Sequence, residues 1–268
     1  MTVFVQLFML VKRRSMEYFW KQQDDIPSGM GYPLFGEIHI LSSVITILIV
    51  LVLTYGLLKL SNRKKILIMK FIPVVMLFME IFKDAFLISV HRFSVAYLPL
   101  HVCSIGIFIF LLREYLSWKW AKTLFGELAY VLIMPGSIAA LLFPDWTIDY
   151  PVLNFMNLYS YAWHGALVLY PLLLRRSGLI QPSVKHIHWP ILFLLVITPL
   201  IYLFDKHYGC NFFFVNWPVP GSPLSFFASF LGNPGYLIGY AAIVLVMLTI
   251  VYGIDFVIST SYNRFVRK

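Results

Sequence analysis

Along most of this chain, apolar residues run in blocks too long and unbroken for a helix or strand with one face in water. An amphipathic helix returns to polar residues every three to four positions, and a half-buried strand every second one. Stretches such as ILSSVITILIVLVLTYGLL and IGYAAIVLVMLTIVYGI follow neither rhythm. Runs of roughly 20 such residues match a bilayer core of about 30 Å, at about 1.5 Å per helical residue. Seven segments are expected as helices: about 38–60, 67–90, 98–113, 123–143, 154–174, 189–205 and 236–258. The third and sixth are the shortest. Continuous blocks also exclude a β-barrel, whose strands alternate over short segments. The expected fold is therefore all-α: a polytopic transmembrane helix bundle of about seven spans, with residues 1–268 forming one integral membrane domain.

Composition agrees. Hydrophobic residues make up 60% of the 268 and charged residues 12%, against about 25% charged in soluble domains. The net charge of +9 is then a topology signal, not a nucleic-acid footprint. Lys59, Arg63, Lys64, Lys65 and Lys70 fall in the first connection, and Arg113, Lys119 and Lys122 in the third. Arg175, Arg176 and Lys185 fall in the fifth, and Arg264, Arg267 and Lys268 in the tail, so 14 of 21 basic residues share one side. By the positive-inside rule the N-terminus lies outside and the C-terminus inside. Residues 1–15 read as an interfacial segment or an upstream start. Lys12, Arg13 and Arg14 fit the outer side poorly, which favours Met16 as the opening residue. Residues 206–235, rich in Pro, Gly and aromatics, are expected as an extracytoplasmic cap or re-entrant loop, a lid over the outer mouth.

Ionisable side chains inside spans cost about 2.5–3.5 kcal/mol each and usually face a polar interior. His39, Glu80, Lys83, Asp84, His101, Asn154, Asn157, Tyr161 and His164 all fall in the outer halves of the expected spans. The economical inference is a polar cavity among spans one to five, open to the outer side. Glu80, Lys83 and Asp84 sit at i, i+3 and i+4, so Lys83 can neutralise a carboxylate on its own helix. Asn154 and Asn157 can serve as caps or interhelical bridges. His186 and His188 lie in the fifth connection and are assigned to solvent.

His164 lies some ten residues into the fifth segment, and a histidine at that depth needs a partner or a task. Neutral imidazole can act as a general base without burying a charge. Two cysteines, Cys103 and Cys210, are too few for a disulfide framework, although one bridge between them is conceivable. Cys103 stands near the start of the third segment, and thiols are activated by helix N-termini and by histidine. Pro99 suits the first turn of that helix. His101, two positions before Cys103, would point to the opposite side of a helix, so His164 is the better-placed base for a Cys–His pair.

The motifs FGEIHIL, ME..KD, LPLHVCSI, PGSIAALLFPDW and NFMNLYSYAWHG together resemble YwaF-type integral membrane proteins of bacteria. Those are similar to transmembrane protein 164, an acyltransferase of ether phospholipids. The resemblance runs in register from about Met16 through His164, the remainder being similar in topology. It implies a multi-pass protein of the bacterial cytoplasmic membrane, with a cysteine nucleophile and a histidine whose roles fall on Cys103 and His164. His101 or Asn157 would orient the base or hold an oxyanion. Glu80, Lys83, Asp84 and His39 would form the head-group end, with Lys83 meeting phosphate. More distant membrane hydrolases of fatty-acid esters of hydroxy fatty acids use threonine in place of cysteine, so hydrolysis stays open beside transfer. The expected partners are membrane lipids as substrate, with no nucleic acid, no obligate protein partner, no metal and no cofactor. A transporter or sensor with a polar intramembrane cavity is the competing class.

Overall fold

The computed structural model describes residues 17–266, with side chains as far as Ser259. The N-terminal segment 1–15, Met16, the cluster Lys12, Arg13 and Arg14, and the side chains of Arg264, Arg267 and Lys268 lie outside the described part. Among the described residues eight α-helices follow one another: α1 (Glu37–Leu58), α2 (Asn62–Ser89), α3 (Val102–Tyr115), α4 (Lys119–Leu142), α5 (Phe155–Arg176), α6 (His188–Tyr208), α7 (Pro223–Leu231) and α8 (Tyr236–Val266). No strand occurs among the described residues. Each of the seven expected segments is a helix, shifted by a few residues at its ends. The eighth, α7, falls inside the segment expected to cap the bundle.

Four helical runs are long and apolar enough to cross a membrane: α1, α4, Val184–Tyr208 (which ends with α6), and Tyr236–Ser259 of α8. Helix α2, with 28 residues, and α5, with 22, reach about 42 Å and 33 Å, but polar residues set them apart from those four. Helix α3 has 14 residues and reaches only about 21 Å, short of a bilayer core of about 30 Å.

Burial separates centre from periphery. Only 11% of the most apolar window of α1 is buried within the protein, and 17% of that of α8, against 56% for α4. Surfaces so apolar and so unburied require a hydrocarbon surround. Helix α5 is buried along most of its length and packs against α1, α2 and α4. In α2 the buried residues are Met69, Pro73, Met76, Glu80, Lys83 and Leu87. Their alternating steps of four and three trace one stripe toward the bundle, and the charged pair lies on it. Helix α4 widens into π-helical turns over Ala129–Ile133. The widening ends just before Pro135, which cannot donate to Val131 and crowds that carbonyl.

The bundle has two unlike ends. At one, the starts of α1, α3, α5 and α8 meet the last turns of α2, α4 and α6 beneath three straps, residues 17–36, 143–154 and 206–222 with α7. We call it the capped end. The first strap is fastened by Asn154, the N-cap of α5. Its Oδ1 accepts from the Met156 amide at 2.8 Å, and its Nδ2 donates to the carbonyls of Tyr18 and Lys21 at 2.7 and 2.9 Å. The opposite, basic end carries the described residues of the first, third and fifth connections.

Polar burial is not confined to the capped end, as the sequence had implied. At the basic end Glu114 accepts from Arg113 and from Tyr170, both at 2.6 Å. Glu127 accepts from Tyr252 at 2.8 Å and from the Ser183 amide at 3.2 Å, and pairs with His186 Nδ1 at 2.7 Å. Asp255 pairs with Arg175 at 2.5 Å, and Arg175 also reaches Ser259. His186 is therefore not a solvated histidine: it bonds Glu127 and stacks on Trp189 at 4.0 Å. Apart from Arg113 and Glu114, which are neighbours in sequence, these partners come from different helices or connections, which helical spacing cannot reveal. Between the two ends lies an apolar core built on Ile107, Phe110, Val131, Ile133, Leu167 and Tyr170.

Candidate active site

Helices α3 and α5 both start at the capped end, so they run parallel. Gly106 brings them together: a Cβ there would stand 2.8 Å from Leu167 Cδ2 and 2.9 Å from Ile133 Cγ2. Only glycine permits that approach. One turn before Gly106 stands Cys103, and one turn before Leu167 stands His164. Equal offsets along parallel helices set the two residues at one level. Helix α3 begins at Val102, with His101 as N-cap and no side chain capping the first-turn amides. Pro99 lies before the helix, not in its first turn, because the chain makes a tight turn there (Leu100 N–H to Leu98 O, 2.7 Å).

His164 is buried, and its Nδ1 lies 2.7 Å from the Ser160 carbonyl one turn earlier. A carbonyl has no proton to give, so Nδ1 carries the hydrogen and donates it. Nε2 is left as the lone-pair nitrogen, with no hydrogen bond among the described residues. The imidazole lies parallel to the Trp146 indole, centroids 5.1 Å apart and planes 3° apart. Trp146 also meets Tyr161 edge-on at 5.8 Å. Cys103 is a free, half-buried thiol, within electrostatic range of Glu80 and of Asp145, the neighbour of Trp146. Cys210 is free as well, so no bridge joins the two cysteines.

The charged group of α2 forms the adjoining wall. Lys83 Nζ donates to Glu80 Oε1 at 2.7 Å and to the Tyr97 carbonyl at 3.3 Å, and pairs with Asp84 Oδ1 at 3.3 Å. Two hydrogen bonds and a second carboxylate in ion-pair range engage Nζ, so Lys83 is held as a local counter-ion. The other Glu80 oxygen accepts from Tyr159 at 2.6 Å, and Tyr159 stacks on Trp163 at 5.4 Å. This cluster is thereby tied to α5 next to His164. His101 stands outside the helix, so the helical-wheel argument does not govern it. Its ring packs edge-on to Phe212 at 4.8 Å under the turn that follows α6, within electrostatic range of His164 and Lys83.

The remaining candidates bond one segment to another. His39 Nδ1 accepts from the Phe35 amide and Nε2–H donates to the Leu141 carbonyl, both at 2.9 Å. Both ring nitrogens are used, and the ring pins α1 to the end of α4. Asn157 accepts from Tyr32 and donates to the Val152 carbonyl, each at 2.8 Å, and Tyr32 also reaches Tyr161 at 3.4 Å. Sequence reasoning assigned no role to Trp146 or Tyr159. Their only advance signal was an aromatic residue beside a charge in PDW and spaced one turn from Trp163. Among the described residues no group of three His, Cys, Asp or Glu side chains is placed to hold a metal ion.

Fold and site together define an all-helical membrane protein with a histidine and a cysteine at one level beneath a capped end. The TMEM164 family model matches residues 34–252, and the chain belongs to that family. The match reaches well past His164 and takes in α6 and α7 and part of α8, where sequence motifs had offered only a likeness of topology. No curated protein and no solved structure matches the chain.

Proposed function

We propose that this protein is a membrane-embedded lipid acyltransferase working through a Cys103–His164 thioester mechanism. The observation that carries the reading is His164: its Nδ1–H is fixed on the Ser160 carbonyl, which leaves Nε2 with no hydrogen bond among the described residues. The helix offsets from Gly106 and Leu167 put it at the level of Cys103. Nε2 takes the thiol proton, and sulfur attacks the ester carbonyl carbon of a lipid acyl chain. The ester C–O bond breaks, the departing alkoxide takes the proton from imidazolium, and the acyl group stays as a thioester on Cys103. An acceptor hydroxyl then gives its proton to Nε2 and attacks the thioester carbon. The C–S bond breaks and the sulfur recovers the proton. The uncapped first-turn amides of α3, Val102 to Ser104, lie beside the nucleophile and suit the transient oxyanion.

The helices cross the membrane seven times, with the capped end outside and the basic end in the bacterial cytoplasm. Helix α3 is short because it starts below the surface, which sets Cys103 among acyl chains. The apolar core between the two ends favours this reading over a transporter, since a polar solute would find no continuous polar path through it. Phospholipids labelled in the acyl chain should leave hydroxylamine-sensitive label on Cys103, and Cys103→Ala should lose both label and transfer. Failure to see transfer, hydrolysis or thioester across several lipid classes would sink the proposal. Release of free fatty acid with no acylated acceptor would make water the acceptor.

A further inference from the structure

We propose that Trp146 is the positioning residue of the catalytic base, its indole face holding the His164 ring in plane and stabilising the imidazolium formed when Cys103 gives up its proton; this rests on the Cys–His reading above. Three observations carry it. The rings are parallel within 3°, with centroids 5.1 Å apart, inside the range of about 6 Å over which a cation is attracted to an aromatic face. Among aromatic side chains the indole face attracts a cation most strongly. The Trp146 Nε1–H is buried and has no hydrogen-bond partner among the described residues.

The third observation separates function from packing. A buried tryptophan retained for structure normally bonds its N–H, and an unpaired buried donor is destabilising. Phenylalanine would fill much of this position without that penalty. What the indole offers here beyond phenylalanine is its larger face, which lies parallel to His164. The Ser160 carbonyl holds the His164 ring at Nδ1, and the parallel indole supports its face. Trp146 is itself held by the strap of residues 143–154 and packs with Tyr150 and Met156.

The test uses the full-length protein in vesicles of phosphatidylethanolamine and phosphatidylglycerol containing a phospholipid labelled in the acyl chain. Trp146→Phe keeps a weaker aromatic face and removes the unpaired N–H; Trp146→Leu removes the face. We expect Trp146→Phe to unfold no earlier than the unaltered protein, with kcat lowered about three- to thirty-fold and KM unchanged. Trp146→Leu should lose more, and the acid limb of its rate profile should move to lower pH because the imidazolium has lost its support. Unaltered kcat and pH profile in both variants would overturn the inference. So would an equal fall in kcat and thermal stability in Trp146→Phe, which marks a packing residue. Cys103→Ala and His164→Ala run alongside: if they still transfer acyl groups the Cys–His reading fails, whereas if they are inactive and the Trp146 variants are normal only this inference falls.

Discussion

The two ends of the bundle bury similar residue types and use them differently. Of twelve acidic residues, three belong to the basic end, Glu114, Glu127 and Asp255. Each is buried, and each takes at least two donors. The other nine lie toward the capped end. There Glu80 is equally well satisfied, by Lys83 and Tyr159. Among the described residues, however, the Asp205 carboxylate and Trp146 Nε1 have no hydrogen-bond partner, and neither has His164 Nε2. At the basic end the unmet buried side-chain atoms among the described residues are Thr54 Oγ1, Arg113 Nε and Ser177 Oγ, with no carboxylate among them. Carboxylates that hold a fold together fill their bonding capacity, since an unmet buried group costs about 1–3 kcal/mol. On the proposed reading, open capacity at the level of Cys103 is where a substrate bonds, so that the basic end fastens helices and the capped end offers chemistry.

The largest effects should divide along that line. His164→Ala should lower acyl transfer by about 10²- to 10⁴-fold, the usual contribution of a positioned base, while changing thermal unfolding little. Glu114→Ala should do the opposite. It strands the buried Arg113 and the Tyr170 hydroxyl, and breaking a buried pair costs about 3–5 kcal/mol. Unfolding in detergent should therefore move to clearly lower temperature, with transfer per folded molecule nearly unchanged. A Glu114→Ala protein as stable as the parent, or a His164→Ala protein that unfolds early, would erase the distinction.

A matched pair of glycines sharpens it further. Gly106 faces Leu167 and Ile133 at the level just below the thiol. Gly126, toward the basic end, would place a Cβ 2.6 Å from Ile180 Cγ2. Valine at either site overpacks the contact, at about 1–3 kcal/mol. Both variants should lose similar stability, but only Gly106→Val should also disturb transfer, because it pushes α3 and Cys103 away from α5. Transfer assays normalised to folded protein, with unfolding curves for both, give the answer. Equal transfer in the two would mean that the spacing of α3 and α5 does not set the chemistry.

Much of this architecture was legible in the sequence, for definite reasons. Apolar blocks longer than a bilayer core leave few alternatives to helices, and His164 stood out because depth in a span is countable. The basic-end network was not legible. Glu127 and His186 are partners across 59 residues, and no periodicity links them. Arg113 read as a connection charge although it is buried beside Glu114. Lys83 illustrates the limit of local spacing. Its pairing with Glu80 follows from the i, i+3 offset, but the Tyr97 carbonyl that takes another of its protons comes from a turn outside the helix. Trp146 lies in a strap, where neither helical nor strand periodicity applies.

The smallest predicted effects concern the strap of residues 17–36. Two of its fastenings make a contrast. Arg92 pairs with Asp24 at 3.1 Å and with Asp25 at 2.7 Å in an exposed setting, and Asn154 bonds Tyr18 and Lys21 from a fully buried position. Exposed ion pairs are screened by water and salt and contribute little, whereas a buried cap with three bonds has no solvent to replace them. Asn154→Ala should lower stability by about 0.5–2 kcal/mol and loosen the cover over Trp146, so that transfer also falls. Arg92→Ala should leave unfolding and transfer unchanged, in low salt and in high. Limited proteolysis between Glu17 and Pro33 reads the strap directly: cleavage should quicken in Asn154→Ala and stay slow in Arg92→Ala. The reverse order would mean that the visible salt bridge, and not the buried amide, keeps the capped end closed.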